Sequence, residues 1–452
     1  MNPEFQRNLW LEASPRRIAW ALVAVTLVYA AVFLAVHGDM RLAGPALATA
    51  GTAVFLVCAG LWGARAAGSA VLAEIAERTW DFQRLSALTP WQMTWGKLFG
   101  ATSLAWVCGL TGLAAMVPAL VSPDSAVDVW EIAFFVALAL LFQALSFGAA
   151  LIGVRKARAE GRAARSGGVL GGLLIGLFLL SSVAGSVGFQ HGAGLDWISH
   201  VLGGRGFIPW WIGYHPAPVF RALSVAAFAL FALAGAWRVM RLELQMRNAP
   251  LVWPGFLVFL AVFVGGFPFR HGGLAASLLA AGLAVALCAY AAAFAEPADR
   301  VHLRRFAAAA RRRDLAAAGP LAPAALTPLA FSVLLIAAAL AAGGLQAAQL
   351  WQGAALTAFV ARDLGVIAYF RLGPQPQRGD FGAVVALALL YAVGGIVGAS
   401  LGHGAGRALF APLPDAPTAS LVSGLVQAGV AWVLASRRLN VPRSAPASAP
   451  AS

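Results

Sequence analysis

The sequence predicts an all-α fold, a polytopic bundle of transmembrane helices, and three observations support this. Of its 452 residues, 60% are hydrophobic and only 11% are charged, whereas a soluble domain carries about 25% charged residues. Apolar runs of about 18–24 residues, enough to cross a bilayer, recur from end to end. The basic residues gather in particular loops between these runs, which is typical of multi-pass membrane proteins.

Twelve apolar runs define the predicted spans. Each is long enough for a helix to cross about 30 Å of hydrocarbon. The polar residues 2–17 precede a first run of span length, so no cleavable signal peptide is predicted. The spans are placed near residues 18–36, 43–64, 98–120, 130–153, 168–189, 218–237, 251–268, 273–294, 327–345, 353–370, 381–402 and 418–436.

The distribution of Lys and Arg sets the predicted topology. With the N-terminus in the cytoplasm, 26 of the 32 Lys and Arg fall in cytoplasmic segments and five in outside loops. This bias predicts that both termini are cytoplasmic. It also explains the net charge of +14 through contact with anionic lipid of the bilayer, so no nucleic-acid partner is expected. The abundance of Ala, Gly and Arg favours a bacterial inner membrane.

Two long cytoplasmic segments, 65–97 after span two and 295–326 after span eight, favour a six-plus-six parallel pseudo-repeat. An even number of spans in each half gives both halves the same orientation. Coincidence in loop length is the alternative. The predicted organisation is an amphipathic elbow at 1–17, a first six-helix bundle at 18–240 with a cytoplasmic segment at 70–97, a second six-helix bundle at 241–440, and a disordered Pro-, Ala- and Ser-rich tail at 441–452.

A polar, charge-rich segment from Glu74 to Lys97 stands between two apolar runs. Within residues 71–88 the apolar positions recur near helical spacing, and Glu74 lies four residues before Arg78 in the favourable acid-first order. These patterns predict an amphipathic helix at the membrane surface. A helix that only orients span three is the alternative interpretation.

A second helix is predicted to begin immediately after this surface helix. Thr89 suits an N-cap, Pro90 suits the first helical position, and a glutamine three residues after Thr89 completes a capping box. Trp91 and Trp95 are expected to be interfacial anchors at the headgroup level, with the Lys97 side chain reaching to the same interface.

The same segment resembles a pattern known from type-2 ATP-binding-cassette (ABC) exporters. Four short motifs carry the resemblance: Glu77-Arg78, Arg84-Leu85, Leu88-Thr89-Pro90 and Gly96-Lys97. The pattern is similar to the stretch that follows the second span of the permease subunits, where the coupling helix fits a groove on a separate ATPase subunit. The resemblance implies that the ATPase-docking residues are Glu74, Glu77, Arg78, Asp81, Arg84, Leu85, Leu88, Thr89 and Pro90.

The resemblance covers about the first 240 residues. Residues 2–17 look like the amphipathic elbow helix of that family. Residues 188–218 form a long outside segment, where the family places short re-entrant helices. The chain departs from the family because twelve spans are predicted in place of six. In the second half, segment 295–326 keeps only a basic run and prolines.

The sequence contains no nucleotide-binding motif. Its one Gly-Lys pair, Gly96-Lys97, lacks the glycine and the Ser or Thr that a phosphate-binding loop requires. No catalytic, cofactor or metal site is predicted, and the chain is not expected to be an enzyme. If the resemblance holds, ATP and Mg²⁺ are expected on the partner ABC ATPase subunit. A second permease copy is a further possible partner.

Arg362 and Asp363 are charges within or near span ten. Ionisable residues inside a membrane mark function by default. An interfacial helix from Arg362 to Arg371 is the alternative, and the sequence interpretation favours it.

The function expected from the resemblance is a membrane permease that exports a substrate with ATP hydrolysed by a separate subunit. A twelve-span secondary transporter shares the span count and the cytoplasmic ends. Its frequent marks, a long central loop and a Gly-rich basic motif after span two, are absent from this sequence. A non-transporting membrane scaffold also remains open.

Overall fold

The computed structural model describes residues 2–36, 40–77, 79, 80, 83, 86, 88–121, 128–159, 206–246, 251–267, 273–297, 299–375, 378–401, 405–413 and 415–440. The chain divides into two compact units. The first contains the described residues up to Arg155 together with 206–253, and the second consists mainly of those from Pro254 onward. Among the described residues, eight helices are long and apolar enough to cross a membrane, or nine if a bent pair is one span. The protein is therefore a helical multi-pass membrane protein.

The first unit consists of helices and one short hairpin. Pro at the first or second helical position and a capping side chain begin several of the helices. The helices are α1 (Pro3–Glu12), α2 (Pro15–Ala35), α3 (Met40–Phe55), α4 (Gly63–Ala76), α5 (Pro90–Ala101), α6 (Ser103–Val121), α7 (Val129–Ala159) and α8 (Ala217–Glu243), and a π-helical segment, Leu56–Trp62, joins α3 to α4.

Span three is bent by 57° between α5 and α6. Thr102 lies at the bend, is buried, and donates its hydroxyl to the Leu98 carbonyl at 2.8 Å. A threonine that donates back to the preceding turn commonly bends a helix, because the hydroxyl competes with the backbone amide for the carbonyl.

An antiparallel hairpin precedes α8. Strand β1 (Phe207–Trp210) pairs with β2 (Gly213–Pro216) across a two-residue loop. The aromatic residues of this stretch favour extended backbone, so residues 207–216 form strands where short helices were expected. The rest of the expected outside segment, 188–205, lies outside the described residues.

The second unit is also helical. Its elements are α9 (Val252–Gly265), α10 (Gly273–Ala295), α11 (Arg300–Arg311), α12 (Leu315–Ala318), a 3₁₀ turn (Gly319–Leu321), α13 (Leu326–Ala342), α14 (Ala347–Arg371), α15 (Gly379–Ser400), α16 (Ala405–Ala408) and α17 (Pro417–Asn440). The helices α10, α14, α15 and α17 are each long and apolar enough to cross a membrane.

Helices occupy eleven of the twelve predicted spans. The fifth predicted span, 168–189, lies outside the described residues. Two of the helices, α9 and α13, are shorter than a membrane crossing usually requires, with 14 and 17 residues. The expectation of an all-helical bundle is confirmed at this level, whereas the number of spans, the pseudo-repeat and the location of the termini stay predictions.

Candidate functional site

The polar segment after span two centres on a buried ammonium group. Lys97, on α5, is fully buried and lies 2.8 Å from a carboxylate oxygen of Glu4 on α1. It also pairs with Glu74 on α4 and with the amide oxygen of Gln83. Three separate stretches of the first unit therefore meet at one lysine.

The two carboxylates of this cluster have further donors. Arg7 lies 2.9 Å from Glu4 and also pairs with Glu74. The Gln83 amide donates to Glu74 at 2.9 Å. Two acids and two bases thus balance in charge, which is how a protein makes the burial of charged groups tolerable. We call Glu4, Arg7, Glu74, Gln83 and Lys97 the Lys97 cluster.

The electrostatics of Glu4 follow from this arrangement. Burial raises the pKa of Glu4, but the charge and hydrogen bond of Lys97, the charge of Arg7 and a hydrogen bond from Asn8 together lower it by more. The pKa of Glu4 therefore lies below the ordinary value, and Glu4 is a carboxylate at neutral pH.

Close backbone contact holds α1 against α5. Gly96 faces Glu4, and a Cβ added at Gly96 would lie 2.7 Å from the Glu4 Cβ. One turn later, a Cβ added at Gly100 would lie 2.6 Å from the Asn8 Cβ. Two small residues four positions apart give the backbone of another helix room to approach. The Asn2 amide adds a hydrogen bond of 2.7 Å to the Gln92 carbonyl.

Helix α4 is shorter than the sequence predicts. A continuous helix over 71–88 is wrong, because α4 ends at Ala76 and Thr79 folds back onto it. The Thr79 amide and hydroxyl both donate to the Glu74 carbonyl, at 3.0 and 3.2 Å. Thr79 thereby satisfies a carbonyl that the end of a helix leaves unpaired.

Trp80 links the Lys97 cluster to the last helix of the first unit. Its side chain is 2% exposed, its ring lies 5.3 Å from the Lys97 ammonium, and its indole N–H donates to Glu243 of α8 at 3.4 Å. A cation over the face of Trp is a favourable contact, more so when both groups are desolvated.

The predicted docking residues differ in their exposure. Glu74 is buried inside the Lys97 cluster, so its carboxylate faces protein. Glu77 and Thr89 are exposed, and Leu88 and Pro90 are half-buried. The remaining four, Arg78, Asp81, Arg84 and Leu85, lie outside the described residues.

The predicted start of the next helix is confirmed. Thr89 accepts from the Gln92 amide at 3.2 Å, and the Gln92 side chain accepts from the Thr89 amide at 3.0 Å, which completes the capping box with Pro90 in the first turn. Trp91 and Trp95 are exposed and stack at 5.2 Å. Lys97 differs from its expected position, since its ammonium points into the Lys97 cluster and not to a headgroup surface.

No protein-family model, no curated protein and no solved structure matches this chain. No relative therefore supplies a site for comparison. Across the described residues, no group of three or more His, Cys, Asp or Glu is placed to hold a metal ion.

The second unit contains a charged pair in the middle of a long helix. α14 runs without a break from Ala347 to Arg371, and both Arg362 and Asp363 are 1% exposed. The favoured interpretation, an interfacial helix beginning at Arg362, is therefore wrong. It failed because the pair is held by neighbouring helices of the second unit, which the sequence of α14 alone does not show.

The pair has partners on several neighbouring elements. Arg362 donates to Asp363 at 2.8 Å, to the Phe410 carbonyl at 3.2 Å and to the Gln427 side chain at 3.1 Å. The second oxygen of Asp363 accepts from two tyrosine hydroxyls, those of Tyr290 at 2.6 Å and Tyr391 at 2.8 Å. Side chains or backbone from α10, α14, α15, α17 and the stretch before α17 meet here.

Arginine side chains also donate hydrogen bonds to the carbonyls at two helix ends in the second unit. Arg300 donates to the carbonyls of Leu372 and Gly373, just after α14 ends, and Arg304 donates to the Leu439 carbonyl at the end of α17. Carbonyls at a helix end lack intrahelical partners and carry partial negative charge, which favours arginine there. Two basic residues of segment 295–326 therefore have a structural role.

The sequence did not reveal the partners of Lys97. Glu4 and Arg7 are read from the sequence as part of an elbow, and nothing there links them to a lysine some ninety residues later. The spacing of Gly96 and Gly100 on α5 was the available signal, because it marks a face that another helix can approach closely.

Proposed function

We propose that this chain is the membrane permease of an ABC-type exporter, powered by a separate ATPase subunit that docks on segment 74–97. The observation that carries the proposal is the Lys97 cluster, which ties this polar segment to both neighbouring spans and to the helix before span one. The motif resemblance of the same segment supports the proposal, as does the absence of a phosphate-binding loop from the sequence.

The Lys97 cluster gives a docked ATPase a mechanical route to the helices. Glu74 belongs to the end of α4, Lys97 to α5 and Glu4 to α1, which leads into α2. A displacement of the segment moves these elements together, because separating them would leave buried charges without partners. In this view Glu74, Gln83 and Lys97 of the docking segment move as one rigid body with the end of span two, the start of span three and the helix that leads into span one.

The docking surface comprises the side chains of this segment that the cluster leaves exposed. Among the described residues of the segment, the exposed ones are Ala76, Glu77, Ser86, Thr89, Trp91 and Trp95. Of its two described acids, Glu77 faces solvent and Glu74 is buried. Charge complementarity across a docking surface sets partner choice and association rate, so the partner surface is expected to carry basic groups opposite Glu77.

Charge reversal tests this function. The tagged chain is purified from membranes of its own host, and the co-purified proteins are searched for an ATPase with a phosphate-binding loop. Glu77→Lys combined with Asp81→Lys is expected to remove that ATPase from the preparation while the amount of folded permease is unchanged. The matched control is Asp314→Lys, which reverses an exposed acid in segment 295–326 and is expected to retain the ATPase.

Two outcomes contradict the proposal. One is an unchanged yield of the ATPase with the double variant. The other is loss of the ATPase with Asp314→Lys alone, which would place the docking surface in the second half of the chain.

The Arg362–Asp363 pair favours a second candidate, a secondary transporter. The Asp363 carboxylate is buried in an apolar helix and accepts from two tyrosine hydroxyls, and ionisable residues inside membrane helices include those of proton relays. The two candidates differ in their energy source. Transport in proteoliposomes that requires the ATPase and ATP supports the permease, whereas transport driven by a proton gradient without the ATPase supports the secondary transporter.

A further inference from the structure

The stretch Ala405–Ala411 folds back along the last turns of α15. A Cβ added at Gly398 would lie 2.7 Å from the Gly406 carbonyl oxygen, and one added at Gly394 would lie 2.6 Å from the Phe410 ring. The chain therefore runs antiparallel to α15. At 1.5 Å per residue, Gly394 lies about 9 Å before the end of the helix.

Helix α17 places the stretch at a similar depth. The Leu409 carbonyl accepts from Ser423 at 2.8 Å and also from Gln427. These residues lie about 9–15 Å into α17 from its start at Pro417. Since α15 and α17 are each long and apolar enough to cross a membrane, a bilayer crossed by both helices would also enclose this stretch, which we call the re-entrant segment.

Backbone at this depth needs donors from the protein. In hydrocarbon, irregular backbone persists only where protein or a water-filled cavity satisfies its polar groups. The Leu409 carbonyl is satisfied by Ser423 and Gln427, and the Ala411 carbonyl by Ser420 at 3.3 Å. The carbonyl between them, that of Phe410, accepts from Arg362 at 3.2 Å.

We propose that Arg362 is a positioning residue that holds the re-entrant segment Ala405–Ala411 in place through the Phe410 carbonyl, with Asp363 as its fixed counter-charge. One carboxylate oxygen of Asp363 accepts from the Nε of Arg362 at 2.8 Å and lies 2.7 Å from Nη2 in an ion pair, while Nη1 donates to Phe410 and Gln427. The rings of Phe359 and Tyr391, 4.5 and 4.8 Å away, hold the guanidinium between them. In this proposal the pair acts on the position of the segment, in contrast to the relay that a proton-coupled transporter would need.

The position of the segment shapes a groove. An apolar groove of about 450 Å³ runs along α15 between Ala386 and Val397, and Phe410 lines it from the segment. Because Phe410 packs against Gly394, a segment released from Arg362 would move one wall of this groove.

A cysteine-accessibility experiment tests the proposal. The reporter is Leu409→Cys in a full chain whose three cysteines are replaced by alanine, labelled in membranes with a membrane-impermeant maleimide. Arg362→Lys keeps the charge opposite Asp363 but lacks the planar fork that reaches Phe410 and Gln427 as well. We expect the labelling rate to rise at least tenfold in the Arg362→Lys variant, with the protein still monodisperse in gel filtration.

Tyr391→Phe is the matched control. It removes one hydroxyl from Asp363 and leaves every donor to the segment in place, so labelling within twofold of the parent rate is expected. Should Arg362→Lys fail to fold, Arg362→Met with Asp363→Leu removes both charges together and is expected to accelerate labelling equally.

Three results would overturn the proposal. The first is a folded Arg362→Lys protein labelled at the parent rate. The second is an equal acceleration in Tyr391→Phe, since that would assign the effect to Asp363 and not to the Phe410 contact. The third is loss of folding in both Arg362 variants, because a positioning role predicts that the bundle survives.

Discussion

The ammonium of Lys97 lies 2.8 Å from the carboxylate of Glu4, a residue 93 positions earlier in the chain. Lys97 is fully buried and the Glu4 side chain is 5% exposed. Glu74 also pairs with the Lys97 ammonium. A buried charge with one partner removed is left uncompensated, and that cost exceeds the value of the original ion pair. Removing the shared cation of the Lys97 cluster is therefore expected to lower the stability of the fold by more than the ion pairs contribute.

Lys97→Met tests this expectation. Methionine fills a similar length but leaves Glu4 and Glu74 buried without their shared cation. We expect a loss of about 3–5 kcal/mol in the free energy of unfolding, measured by denaturant unfolding of the purified protein in detergent. Glu12→Gln is the control on the same helix α1, because Glu12 pairs with Arg17 at an exposed site and about 0–1 kcal/mol is expected there. Equal losses in both variants would contradict a buried cluster.

Acidification tests the charge state of Glu4. The pKa of Glu4 is lowered in the folded chain, because the charges and hydrogen bonds around it outweigh its burial. A carboxylate with a lowered pKa adds stability above its ordinary pKa, and that stability is lost as the pH falls through the folded value. The difference in the free energy of unfolding between the wild type and Glu4→Gln is therefore expected to have its full value near pH 7. It is expected to shrink as the pH falls below about 4.3. A difference that grows on acidification would contradict the assignment.

The helices were largely predictable from the sequence, because long apolar runs force helical backbone in a membrane. The capped start of α5 at Thr89 was also predictable, since its three signals are local. The bend at Thr102 and the π-helical segment Leu56–Trp62 were not predicted. Both depend on side chains that reach a carbonyl, Thr102 within its own helix and Gln143 from α7.

The candidate site was half predictable. The polar segment was recognised by composition, and Glu77 is exposed as a docking residue requires. The burial of Glu74 and Lys97 was not predicted, because it depends on α1 packing across Gly96. Arg362 likewise was placed at an interface because its partners, Phe410 and Gln427, follow it by 48 and 65 residues. Long-range partners of single charges leave no pattern in one sequence.

Gly96→Ala tests the contact between α1 and α5. The added methyl would meet Glu4 at 2.7 Å and the Phe5 amide nitrogen at 2.8 Å. Overpacking of this kind costs about 1–3 kcal/mol. We also expect trypsin to cleave faster after Arg7, which is partly exposed within the cluster.

Gly235→Ala is the matched control for that contact. A Cβ at Gly235 of α8 meets nothing within 4 Å, so this variant is expected to gain about 0.5–1 kcal/mol from helix propensity. If Gly96→Ala also gained stability and left cleavage at Arg7 unchanged, α1 would not be packed on α5 as described.

Gln143→Leu tests the π-helical segment in span two. Gln143 is fully buried, donates to the Ala59 carbonyl at 2.7 Å and accepts from the Trp106 indole at 3.1 Å. Leucine has a similar size but leaves a buried carbonyl and a buried N–H unpaired, each costing about 1–3 kcal/mol. We expect a lower unfolding temperature and faster hydrogen exchange confined to residues 56–63, measured by mass spectrometry.

Leu145→Met is the control for Gln143→Leu, because Leu145 lies two residues further along α7 and is 47% exposed. It is expected to leave exchange at residues 56–63 unchanged. The π-helical segment leads directly into α4, which carries Glu74 of the Lys97 cluster. A loosened π-helical segment would therefore transmit less of the movement of the docking segment to the rest of span two. Under the proposed function, ATP hydrolysis by the docked ATPase subunit is then expected to persist in Gln143→Leu while transport falls. Unchanged exchange at residues 56–63 would show instead that the segment holds its shape without Gln143.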